Sequence, residues 1–134
     1  MKLVISDPKD GKSFQVEVQK VQESLFLGRK IGEGVDGGSF GAAGYVFKIM
    51  GGSDSAGFPM RSNIDGPRRV NVLLASAPGF HAKQKGERAK RRMRGNIISD
   101  EIMQINCKVQ TPGTKPLAEL FPQKEEEKKK EEKK

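Results

Sequence analysis

The apolar residues of this chain fall mostly into short runs of period two, which predicts strands and turns rather than long helices. Lys2 to Ser6 is a short apolar run, and Ser13 to Gln19 alternates, with Phe14, Val16 and Val18 on one side and Gln15, Glu17 and Gln19 on the other. Between them lies Asp7-Pro8-Lys9-Asp10-Gly11, in which proline presets a turn dihedral and Asp-Gly accepts positive φ. The three pieces predict a β-hairpin. Tyr45 to Met50 predicts a further strand with Tyr45, Phe47 and Ile49 on one face. Val70 to Leu74, the most apolar run, predicts a buried strand, and Asn96 to Ile98 a short one. Ile102 to Val109 alternates again, with Met103, Ile105, Cys107 and Val109 on the apolar side. Val21 to Ile31 fits either a strand or one helical turn.

Glycine shapes two further segments. Gly32 to Gly44 holds six glycines in 13 residues and contains Gly32-Glu33-Gly34-Val35-Asp36-Gly37, a G-x-G-x-x-G match. A dinucleotide site needs a helix opening on that pattern. Gly38-Ser39-Phe40-Gly41 and Gly44 stand where the helix would be, so a bulged or flexible loop is the better reading. Gly51-Gly52-Ser53-Asp54-Ser55-Ala56-Gly57-Phe58-Pro59-Met60 reads as a compact, fixed loop. Its leading glycines permit a reversal, Asp54 can close an Asx turn, and Phe58 and Met60 can pin it to the body. The overall expectation is a mainly β, small single-domain, β-barrel-like fold of about six antiparallel strands. It carries long basic and Gly-rich loops and a charged C-terminal tail. Residues 1–110 form the domain, 111–123 a linker and docking segment, and 124–134 a tail of six Lys and five Glu that is helical or disordered.

Charge changes this picture. The formal net charge is +8, and His81 to Arg94 carries +6 of it: Lys83, Lys85, Arg88, Lys90, Arg91, Arg92 and Arg94 against Glu87 alone. As a helix this stretch would stack like charges, so its own folding does not explain it. A polyanion does, and a nucleic acid is the natural one. Arg61, Arg68 and Arg69 form a looser second basic group. The expected arm is mobile when free and ordered only against that partner.

Other chemistry is sparse. Cys107 is the one cysteine, which excludes an intrachain disulfide and a cysteine zinc site, and its place on an apolar face suits a buried thiol. His81 is the one histidine, and no Ser/His/Asp set, Cys/His pair or H-E-x-x-H accompanies it. Neither a signal peptide nor a membrane-length apolar run is expected. No cofactor, metal, membrane or small-molecule substrate is expected.

Ile49 to Met60 also resembles a known signature, that of small-subunit ribosomal protein six of the archaeal and eukaryotic type. The resemblance rests on Gly51, Gly52, Asp54, Gly57, Phe58, Pro59 and Met60, and on a second block, Gly86-Glu87-Arg88-Ala89-Lys90-Arg91-Arg92-Met93-Arg94-Gly95. It covers roughly residues 1 to 110. It implies a β-barrel-like domain on the cytoplasmic small ribosomal subunit, bound to ribosomal RNA and neighbouring ribosomal proteins and acting structurally rather than as an enzyme. The basic residues named above would be the RNA contacts, and replacing Arg91, Arg92 and Arg94 by Glu would then abolish incorporation with the fold intact. A free-standing RNA- or DNA-binding module, or a translation-factor-like barrel, is the alternative. Eukaryotic members continue into a long basic helix ending in phosphorylated serines. No serine follows Ser99 here, so that switch is not expected, and the length suits an archaeal short form.

Overall fold

The computed structural model describes residues 1–122. The Lys/Glu tail expectation, which concerns 124–134, lies outside the described residues.

Seven strands form two sheets. Strands β1 (Lys2–Asp7) and β2 (Lys12–Glu17) make the expected hairpin, with Asp7 opposite Lys12. Gly11 takes φ +66°, and the Asp7 side chain accepts the Lys9 amide at 2.9 Å, closing the turn as the Asp-Pro-Lys-Asp-Gly chemistry requires. A four-residue helix α1 (Lys20–Glu23) follows, resolving the ambiguous segment as one helical turn and a run of turns. The glycine-rich segment supplies β3 (Gly34–Asp36) and a four-residue 3-10 turn, Gly37–Phe40, capped by the Asp36 carboxylate on the Gly38 amide. No α-helix opens on the G-x-G-x-x-G residues.

β4 (Val46–Asp54), β5 (Arg69–Leu74), β6 (Ala89–Arg94) and β7 (Ile102–Thr111) complete the strands, and α2 (Leu117–Leu120) ends the described chain. The first sheet runs β2-β1-β7-β4-β3, the second is the ribbon β5-β6. Four sequence expectations change here. The large sheet is open rather than closed into a barrel, and β1 pairs with β7 in parallel. Gly51 and Gly52 do not reverse the chain; they lie inside β4, and the turn comes after Asp54. Met103 is half exposed, because β4 and β7 slip register between Ser53 and Asp54, so that Ile102 and Ile105 both point inward. A bulge breaks the period of two that the alternation assumed.

The main core covers one face of the large sheet. Leu3, Ile5, Phe14, Phe47, Ile49, Ile105 and Cys107 project from the strands, with Phe26, Ile98, Met60 and Leu117 laid over them. Asn96 to Ile98 pairs with residues 28–31 through the Lys30–Ile97 bridge, closing one side of that core. The Tyr45 hydroxyl donates to the Lys115 carbonyl and Leu117 is buried, which draws the 115–117 segment onto the same body. Burial pushes the Cys107 thiol up to about 12, so it is inert as a nucleophile at neutral pH.

Gly52 answers to steric need. A Cβ there would overlap the Gln104 carbonyl and lie 3.3 Å from the Ile105 Cα across the β4–β7 ladder. Gly52→Ala is expected to cost about 2–3 kcal/mol, as overpacking at a close backbone approach does. A thermal melt checks this, and an unchanged midpoint would contradict it.

Candidate nucleic-acid interface

The basic stretch is half strand. Ala89, Lys90, Arg91, Arg92, Met93 and Arg94 alternate, and in β6 they face Leu74, Leu73, Val72, Asn71, Val70 and Arg69 of β5 in turn. The expectation of an arm without structure of its own is therefore corrected over 89–94: it has a complete antiparallel ladder. Nor is β5 buried on both faces, since Leu73 is 57% exposed.

Pairing sorts the ribbon into two sides. On one, Val70, Val72, Leu74, Ala89 and Met93 pack with Ile64 and Phe80 into a small second core. Arg91 lies on this side at its margin, its guanidinium carbon 5.9 Å from the Phe80 ring centroid. On the other side stand Arg69, Asn71, Leu73, Lys90, Arg92 and Arg94. Here the Phe58 ring carries Arg69 at 5.3 Å and Arg92 at 5.8 Å. Each such contact is worth about 0.5–1 kcal/mol at an exposed site. Their larger effect is on order: the ring holds the planar fork of each, and that of Arg92 keeps its in-plane N–H donors for an anion.

Asp54 ties the ribbon to the large sheet. Its Oδ1 accepts the Ala56 and Phe58 amides, each at 3.0 Å, so the expected Asx turn is present. Its Oδ2 accepts Arg69 Nε at 2.8 Å and lies 3.7 Å from Arg94 Nη1. Arg94 also donates to the Glu101 carboxylate and the Ser99 hydroxyl. Burial alone would raise the Asp54 carboxyl, but the Arg69 hydrogen bond and charge and the two amides outweigh it and hold it below the ordinary value. The hydrogen bond from Arg94, then its charge, likewise lowers the Glu101 carboxyl.

The ten basic residues singled out from sequence thus divide. Lys83, Lys85, Arg88, Lys90, Arg91 and Arg92 are exposed on the ribbon and the loop joining its strands. Glu87, their single acid, spends its carboxylate on the Lys83 and Gln84 amides, at 2.7 and 3.3 Å, shaping that loop. Arg68 is exposed as well. Arg61 is half-buried and holds the loop carbonyls of Ser76 and Pro78 and the Asn63 side chain. Arg69 is shared between Asp54 and Phe58. Arg94 is 3% exposed and ion-paired on two sides, which corrects its place among the phosphate contacts: it is part of the scaffold. Among the signature residues, Asp54 and Phe58 hold the ribbon's arginines, and Met60 is buried in the main core. Sequence reading missed the roles of Phe58, Phe80, Ser99 and Glu101. Alternation of Ala89, Arg91 and Met93 against Lys90, Arg92 and Arg94 was the available signal for a strand.

A sequence profile described as Ribosomal protein S6e matches residues 1–122. The chain is similar to the small ribosomal subunit protein eS6 of Methanocaldococcus jannaschii, at 48% identity over 120 residues, 90% of this chain and 89% of the relative. It is 45% identical to that of Methanocella arvoryzae, over 92% of this chain and 87% of the relative. It is 43% identical to that of Methanoculleus marisnigri, over 92% and 94% respectively.

Proposed function

The chain belongs to the ribosomal protein S6e family, and on that premise we propose that it is a structural constituent of the cytoplasmic small ribosomal subunit that binds ribosomal RNA. It supports subunit assembly and translation by binding, without catalysis, and its partners are that RNA and adjoining ribosomal proteins. Residues 1–110 carry the binding body, and of the 111–123 segment the described residues, up to Pro122, serve as the part docked beside it.

The observation that carries the RNA reading is the β5–β6 ribbon with its connecting loop. Six exposed cations, Lys83, Lys85, Arg88, Lys90, Arg91 and Arg92, project from a hairpin whose own acid is occupied by backbone amides. Arg68 adds to them from the turn before β5. A folded RNA presents phosphates from adjoining strands at close spacing, and a two-stranded ribbon offers cations on both of its sides. The stacked Arg91 and Arg92 lose little further freedom on binding.

Sedimentation of native lysate tests this reading. The expected outcome is near-complete co-migration with the small subunit at moderate salt. The isolated chain should bind small-subunit ribosomal RNA with a steep salt dependence. If all six cations meet phosphates, affinity falls by about 300- to 2,000-fold between 50 and 200 mM salt. A chain that stays at the top of the gradient and binds the RNA with a flat salt response would fit a module outside the ribosome or a different partner.

A further inference from the structure

The ribbon leaves one feature of the large sheet without explanation. On the face away from the core, Lys48 of β4 stands directly opposite Lys108 of β7, and both are exposed. Neither forms an ion pair among the described residues. Like charges directly opposite across a ladder are unfavourable, and almost any polar residue would serve the fold better. Among the described residues, Asp36 on this face caps the Gly38 amide, and Glu17 lies on β2, opposite Lys2 and away from β4.

Next to this pair, β4 is bare. Gly51 faces Asn106, which is exposed. Unlike Gly52, it has no steric reason to be glycine. It does not take positive φ, and a Cβ built on it meets nothing within 4 Å. Glycine inside a strand lowers stability and often marks the close approach of another backbone or a ligand. Here no described residue of the chain comes within 4 Å of where a Gly51 side chain would begin. Met50 and Met103, 52% and 51% exposed, bracket the bare segment at two of the three register shifts. Gln104 donates its Nε2 to Asn106 Oδ1 at 2.9 Å alongside, which leaves the Gln104 oxygen and the Asn106 amide nitrogen for a partner.

We propose that this outer face of β4 and β7 is a second RNA contact, on which a ribose–phosphate strand lies flush over Gly51 with its phosphates on Lys48 and Lys108. The inference rests on the ribosomal RNA reading above and extends it to a surface built by a different sheet. Charge chooses RNA over a protein neighbour: two adjacent ammonium groups without an ion-pair partner among the described residues call for closely spaced anions, which a nucleic-acid strand repeats at each nucleotide. The methionines, unbranched and polarizable, suit contact with ribose and base edges beside that strand.

The test is filter binding of the full chain to in-vitro-transcribed small-subunit ribosomal RNA over a range of salt, paired with thermal melts. Gly51→Val puts a strand-favouring side chain into open space, so its melting temperature should equal or exceed that of the wild type while its Kd rises at least tenfold. Lys48→Ala/Lys108→Ala relieves like-charge repulsion and should also melt no lower. Its salt slope should be shallower by about 1.5, the counterion release of two phosphate contacts. Wild-type affinity and slope in both variants would overturn the second surface while leaving the ribbon's role standing. Variants that bind naked RNA normally but fail to enter subunits would assign the face to a protein neighbour and overturn it too. A wild-type chain that does not bind this RNA would overturn both readings.

Discussion

Asp54→Ala is expected to destabilise the protein by about 3–5 kcal/mol, the usual result of removing one member of a buried, hydrogen-bonded ion pair. Arg94 would stay buried at 3% exposure with only Glu101 opposite it, Arg69 would lose its carboxylate, and the Ala56 and Phe58 amides would lose their acceptor. Against a total stability of about 5–15 kcal/mol this is a large share. Urea unfolding measures it through the midpoint, and a change under 1 kcal/mol would contradict the account of how the ribbon is fastened. Asp54→Asn keeps the shape and one acceptor and should cost less. pH dependence follows from the depressed carboxyl, with the ordinary value at 3.8. A carboxyl lowered on folding adds stability that is fully present above its unfolded value and lost as pH falls through the folded one. The stability gap between wild type and Asp54→Asn should therefore be constant near neutrality and shrink as pH drops below about 4.

Lys90→Glu/Arg92→Glu is expected to lower affinity for small-subunit ribosomal RNA by about a hundred- to ten-thousandfold, since each charged hydrogen bond is worth about 1.5–3 kcal/mol. Both side chains are exposed, and the recorded contact of Arg92 is its stack on Phe58. Far-UV circular dichroism and the melting midpoint should stay close to wild type. Arg94→Glu is expected to behave in the opposite way. It would bury a third carboxylate beside Asp54 and Glu101, and the protein would lose stability before RNA binding could be judged. The expectation that Arg91, Arg92 and Arg94 could be reversed together with the fold intact is thereby corrected. Retained tight binding by the Lys90/Arg92 variant would remove the ribbon from the interface.

Much of the local structure was legible in the residue pattern. The first hairpin followed from its turn chemistry and alternation, and Tyr45, Phe47 and Ile49 turned inward as one face. Cys107 is buried, and the Asp54 turn sits on the amides an Asx turn should use. What was not legible depends on partners distant in sequence. Parallel pairing of β1 with β7 joins the two ends of the domain, and no short-range pattern encodes it. The slips in β4–β7 pairing hid Gly51 and Gly52 inside a strand and turned Met103 outward. Arg94 looked like its neighbours because an arginine's burial is decided by Asp54 and Glu101, not by its own run of cations. The density of charge obscured a strand whose alternation was present all along, since Arg91 and Arg92 serve opposite sides of one ribbon. The signature resemblance located both parts of the candidate site, but the stacking of Arg69 and Arg92 on Phe58 emerged only with the fold.

The exposed cations of the ribbon and its loop are expected to meet ribosomal RNA. Ultraviolet crosslinking of native small subunits, followed by mass spectrometry of this chain's peptides, tests this most directly. The account predicts RNA adducts concentrated between Lys83 and Arg92 and none at Arg94. Adducts confined to other segments, with the peptides from Lys83 to Arg92 recovered unmodified, would contradict it.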